Sequence, residues 1–156
     1  MLYAFPIALI AAAIAVFFAV AHGRFREFPP LQSWLRALAA LPLFASAAIH
    51  FARPSVLAAM IPPVFPDRFA LVILSGIFEI AGAIGLFLPK VRRTASLCIA
   101  VLMVAVFPAN IHVAGRAVGG LPMPGVAERT AMQVVYVVLI LLVGWGLPGR
   151  GMRRAA

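Results

Sequence analysis

Chemistry in this sequence depends first on Glu79, the only carboxylate inside any of its long apolar runs. It lies about eleven residues into the run at 69–88, near mid-depth if that run crosses a membrane. A carboxylate there can carry a proton, accept a hydrogen bond from a ligand or pair with a cation. Ionisable groups at that depth are costly, face the bundle interior and mark functional sites by default. Ser75 stands one turn before Glu79, and Gly82 and Ala83 one turn after, forming a narrow stripe suited to close helix packing. On the run at 34–52, helical spacing puts Ser46, His50 and Arg53 on one face. Asn110 and His112, in the run at 94–114, are two residues apart and point to nearly opposite sides unless Pro108 distorts the turn. Gln133 and Tyr136 fall one turn apart near the start of the run at 130–147.

The elements that position these groups are membrane helices. Of 156 residues, 65% are hydrophobic and 11% charged, with a mean hydropathy of +1.10; soluble domains carry about 25% charged residues. The net charge of +9 does not indicate nucleic acid, because the basic residues cluster in short turns between apolar runs. One cysteine, Cys98, excludes an intramolecular disulfide, a CxxC redox pair and an all-thiolate metal site. Five runs are long enough to span: 2–21, 34–52, 69–88, 94–114 and 130–147. Helices satisfy their own backbone in lipid, and the Ala- and Leu-rich runs lack the alternation of barrel strands.

The fold expected is all-α: a single polytopic membrane domain over residues 1–156. It comprises an N-terminal helix and basic turn (1–33), a four-helix core (34–148) and a basic tail (149–156). Ala19-Val20-Ala21 has the form of a signal-peptide cleavage site, but no Lys or Arg precedes the first run, and Arg24 and Arg26 follow it. These flanks indicate a retained helix. Nine basic residues fall in the odd-numbered loops and the tail, against four in the even-numbered loops, which gives an N-out, C-in orientation. Between the second and third runs, Pro54, Pro62, Pro63 and Pro66 surround Val56, Leu57, Met60 and Ile61. Two readings fit this loop, a short interfacial helix and a stiff apolar turn.

With that topology Ser46, His50, Ser75, Asn110, Gln133 and Tyr136 all lie in the outer halves of their helices, above Glu79. The pattern predicts a polar pocket open toward the outside, with Glu79 as its floor and in contact with the second or fourth span. Arg53 or His50 is the expected partner of Glu79, and Phe51, Phe78 and Phe107 are the expected aromatic walls. The competing expectation is a purely structural network in which these groups pair across helices and leave no cavity. Axial haem ligation by two histidines, or a metal held by His50, His112 and Glu79, lacks supporting ligand spacing, so no metal site is assigned. No nucleophile elbow, phosphate-binding glycine loop or HExxH is present.

From His50-Phe51-Ala52-Arg53-Pro54 onward a set of segments recurs in a familiar order. Ile61-Pro62-Pro63 and Pro66 are followed by the segment Ser75-Gly76-Ile77-Phe78-Glu79-Ile80-Ala81-Gly82-Ala83-Ile84-Gly85-Leu86. Pro89-Lys90-Val91-Arg92-Arg93 and Val106-Phe107-Pro108-Ala109-Asn110-Ile111 complete the set. Over about residues 35–147 the chain resembles the DoxX-like family of small bacterial membrane proteins, the first helix being an addition. The resemblance implies a four-helix bundle in the cytoplasmic membrane and a link to quinone-coupled oxidation. Distant animal relatives with a similar glutamate-containing helix act as assembly chaperones for receptor channels, so a shared fold leaves both roles open. Glu79, His50 and Asn110 match the family's polar positions.

The resulting expectation is an accessory subunit, not a stand-alone enzyme, that binds a lipophilic molecule such as a quinone through Glu79, His50, Asn110, Tyr136, Gln133 and Ser75. Its partners would be the lipid bilayer and other membrane proteins or further copies of itself. The alternatives are an assembly factor packing through the Gly-rich third span and a proton-coupled transporter using Glu79. Orientation is directly testable. In a Cys98→Ser chain, Arg92→Cys should resist an impermeant thiol reagent in intact cells, and labelling there would reverse the assignment.

Overall fold

A computed structural model describes residues 29–145 of the chain. The first predicted span and the basic tail lie outside the described residues. Four long helices account for most of the rest: α1 (Pro29–Ala52), α3 (Arg68–Gly85), α4 (Arg92–His112) and α5 (Val126–Trp145). All four are long and apolar enough to cross a membrane. Their outward faces carry large apolar side chains, with Trp34 72%, Val101 66% and Phe78 57% exposed. A water-soluble bundle would not leave so continuous an apolar surface. The protein is a multi-pass membrane protein.

Local chemistry explains where the elements begin and end. Pro54 opens the short helix α2 (Pro54–Ala58), where its missing N–H removes no helical bond. The proline-rich loop therefore holds the short helix that was one of its two readings. Asp67 caps α3: it adopts a left-handed conformation (φ 41°), and its carboxylate accepts from the Ala70 amide at 3.1 Å. Asp is one of the few residues that tolerates this conformation. α1 continues through Pro42 and α4 through Pro108.

Between α4 and α5 the chain forms a hairpin absent from the sequence expectations. β1 (Ala117–Val118) pairs antiparallel with β2 (Leu121–Pro122) across Gly119-Gly120. Both glycines have positive φ, 58° and 80°, as a tight hairpin turn matching the strand twist requires. Flanking bonds from Met123 N to Arg116 O (2.8 Å) and from Gly115 N to Pro124 O (3.0 Å) extend the pairing.

Consecutive long helices are neighbours, and α5 closes the ring against α1. The α1–α3 and α4–α5 pairs are the most extensive. The buried core contains Ala39, Ala40, Leu43, Ala83, Leu86, Ile99, Leu139 and Ile140. Small residues set the close approaches. Gly76 of α3 faces His50 and Phe51 of α1, Gly82 faces Ile99, Gly85 faces Ala95, and Gly144 of α5 lies against Ser96 of α4. Ser96 is fully buried and donates to the Ile140 carbonyl at 2.8 Å, adding a polar tie to the same seam. Gly144→Ala would drive a methyl group into Ser96, and overpacking of that kind costs about 1–3 kcal/mol. Thermal unfolding in detergent should show that loss. Gly125→Ala, whose added methyl meets nothing nearer than Glu128 Oε2 at 4.0 Å, should change stability by less than about 0.5 kcal/mol.

Candidate functional site

An open cavity of about 400 Å³ lies between α1, α3, α4 and α5, beneath the hairpin. Helix spacing brings six polar side chains to its wall: Ser46 from α1, Glu79 from α3, Asn110 from α4, and Arg129, Gln133 and Tyr136 from α5. Leu121, Pro122, Met123 and Pro124 of the hairpin segment roof it, and Pro42, Leu43, Met103 and Met132 supply the remaining apolar wall. A mostly apolar concavity with a few convergent polar groups has the make-up of a small-molecule site.

The polar groups form two clusters. Glu79, the twelfth of eighteen residues in α3, is only 5% exposed. Its Oε1 accepts a hydrogen bond from Ser46 Oγ at 3.1 Å. Its Oε2 lies 3.5 Å from His50 Nδ1 and has no hydrogen-bond partner. His50 Nδ1 is itself 2.9 Å from the Ser46 carbonyl, which fixes the imidazole against its own helix. Nearby, Tyr136 is buried and its hydroxyl donates to the Ala39 carbonyl at 2.6 Å. One turn of α1 thus supplies both the serine and the histidine that meet the carboxylate.

The second cluster lies nearer the hairpin. Arg129 Nη1 donates to Asn110 Oδ1 at 2.7 Å, Asn110 Nδ2 donates to Gln133 Oε1 at 2.8 Å, and Gln133 Nε2 donates to the Met103 carbonyl. The chain of donors fixes both amide orientations, since the arginine can only donate. Arg129 Nη2 also contacts Met123 Sδ at 3.0 Å, linking α5 to the roof. Arg129 Nε is buried without a partner. Among the described residues no carboxylate lies within ion-pair distance of this guanidinium.

Glu79, Asn110, Gln133 and Tyr136 border the same cavity, and Glu79 faces the second predicted span. Two candidate ligand residues do not line it. His50 touches Glu79 from outside the cavity, because its ring is drawn back to the Ser46 carbonyl. Ser75 is buried but donates to the Val72 carbonyl of its own helix at 2.9 Å, turning its hydroxyl away from any ligand. The expected aromatic walls are also corrected. Phe51 is 45% exposed, Phe78 borders a separate apolar groove between α3 and α4, and Phe107 does not line the cavity. Methionine and proline take their place. Arg53 is exposed and is not the partner of Glu79.

Arg129 was missed from sequence because the last helix was expected to begin at 130. It begins at Val126, which places Arg129 in the first turn, one turn before Gln133. The roof was missed with it, although Gly119-Gly120 between short apolar stretches is a recognised hairpin signal. Among the described residues no three His, Cys, Asp or Glu side chains converge as a metal site.

Among the described residues, fold and site together define a four-helix membrane bundle with an open, partly polar cavity. The chain belongs to a family described as a domain of unknown function (DUF8561), matched over residues 38–147, which contain every polar residue of the cavity. No curated protein and no solved structure matches the chain.

The two buried serine and tyrosine contacts have different consequences. Tyr136→Phe keeps the ring but removes the bond to α1, and should lower stability by about 0.5–1.5 kcal/mol. Ser75→Ala should have a smaller effect, since its hydroxyl bonds only within α3. Chemical unfolding of the two variants side by side checks the order.

Proposed function

We propose that this protein is an accessory subunit of the bacterial cytoplasmic membrane that binds a lipophilic small molecule with a polar head, a quinone being the candidate. The observation that carries this reading is the cavity bounded by Glu79, Ser46, Tyr136, Asn110, Gln133 and Arg129. A network serving packing alone would close around its small residues, whereas here methionine and proline hold open a space with charged groups on its wall. The DoxX-like resemblance supports a quinone as ligand and the accessory role. The binding groups proposed are Glu79, Asn110, Gln133, Tyr136 and Arg129, with His50 supporting Glu79 from behind.

In the proposed topology, residues 2–21 form a fifth span and the chain runs N-out to C-in. The α2 loop and the hairpin then face outside, so the cavity opens toward the outer half of the bilayer. Lys90, Arg92 and Arg93 lie at the opposite end of the bundle, as the positive-inside rule requires. The assembly-factor alternative draws less support. Gly76, Gly82 and Gly85 already pack against α1 and α4, so close packing within the chain accounts for them without a partner helix.

Thermal unfolding of purified protein tests the reading with an alkyl-benzoquinone in its oxidised and reduced forms. A ligand specific for the folded state stabilises by about 2.7 kcal/mol at a concentration one hundred times its Kd. At least one of the two forms should therefore raise the melting temperature as its concentration increases. Met132→Trp or Met103→Trp, which fill the cavity, should remove that rise while retaining a cooperative ligand-free transition. Native protein that responds to neither form would sink the proposal.

A further inference from the structure

The hydrogen-bonding capacity of the cavity is unequal at its two ends. At the deep end every side-chain donor is committed. Ser46 has one O–H and gives it to Glu79, and Tyr136 has one O–H and gives it to the Ala39 carbonyl. Glu79, in its ionised form, only accepts; Oε1 takes one hydrogen bond and Oε2 none. His50, the nearest remaining donor, does not line the cavity and is bound to the Ser46 carbonyl. With Glu79 ionised, the deep end offers acceptors alone.

The end beneath the hairpin is the reverse. Arg129 Nε carries an N–H with no acceptor, and the amide nitrogens of Asn110 and Gln133 each use one of two hydrogens. The acceptor oxygens of Asn110 and Gln133 each already take one hydrogen bond, from Arg129 and Asn110 respectively, so free donors predominate at this end. A ligand that spans both clusters meets acceptors below and donors above.

We infer that the cavity selects a lipophilic molecule bearing a hydroxyl donor at its buried end and an acceptor oxygen toward Arg129, so that a dihydroxy-aromatic head binds in preference to the corresponding dione. This inference rests on the proposed ligand pocket and assigns its polarity. A dione brings only acceptors, so its inner carbonyl would face Glu79, Ser46 and Tyr136 with nothing to receive. A hydroquinone donates its inner hydroxyl to the Glu79 carboxylate and accepts from Arg129 through the outer oxygen. Arg129, between the roof and Asn110, is the second pole of the site.

Three probes of one shape separate these possibilities: an alkyl-hydroquinone kept reduced under anaerobic conditions, the matching alkyl-benzoquinone, and the di-O-methyl ether of the hydroquinone. Affinities are read from melting temperature against ligand concentration on the full chain. Sites that must leave a buried polar group unpaired discriminate strongly, so the hydroquinone should bind about tenfold or more tighter than the other two. Glu79→Gln gives the deep end an amide donor and should reduce that ratio by strengthening the quinone. Arg129→Met should weaken both redox forms. Equal affinity of the native protein for the three probes, or tighter binding of the quinone, would overturn the polarity while leaving the pocket in place. Binding of none of them would remove both proposals. The comparison of probes on native protein is decisive even if a variant fails to fold.

Discussion

The structure is organised around a carboxylate held in an apolar bundle. Removing an ion from water costs several kcal/mol even after relaxation, and only good local hydrogen bonding and charge pairing offset that cost. Glu79 is placed where a serine hydroxyl and a histidine from a single turn of α1 reach it. This contact needs α1 and α3 close together. Gly76, directly against His50 and Phe51, permits the approach, because a side chain there would force the helices apart. The buried carboxylate of the membrane core and a close glycine contact are thus parts of one helix pairing.

The opposite pair, α4 and α5, meets through Ser96 and Gly144. With both pairs closed by small residues, the centre of the ring is left to longer side chains. Met103, Met132 and Met123 are flexible and do not fill that centre. The cavity is therefore a consequence of tight seams at the edges of the bundle and loosely packed chains in its middle. The hairpin completes it, since Arg129 reaches both Asn110 and the Met123 sulfur and so fastens the roof to the wall.

Charge separation within this cavity follows from the same layout. Glu79 is buried well along α3, whereas Arg129 is in the first turn of α5 near the hairpin. No ion pair joins them, so each keeps one polar atom without a partner. Unpaired buried polar atoms of this kind are destabilising in a closed core. Under the proposed function they are the groups that recognise the ligand.

The sequence by itself determined the helical membrane class, because runs of about twenty apolar residues admit few other structures in lipid. It also determined that Glu79 must be buried, and that Ser46 and His50 share a face, since both follow from helical period and desolvation. Asn110, Gln133 and Tyr136 could be placed at similar depth by counting along their spans. Only the tertiary structure decided which of these groups share a cavity. Rotation of each helix about its axis is set by its neighbours. Bonds within their own helices turned Ser75 and His50 away, and the earlier start of α5 brought Arg129 to the cavity. The roof was likewise a tertiary matter: four hairpin residues with no helical period acquire their role only from the α4–α5 geometry above which they fold.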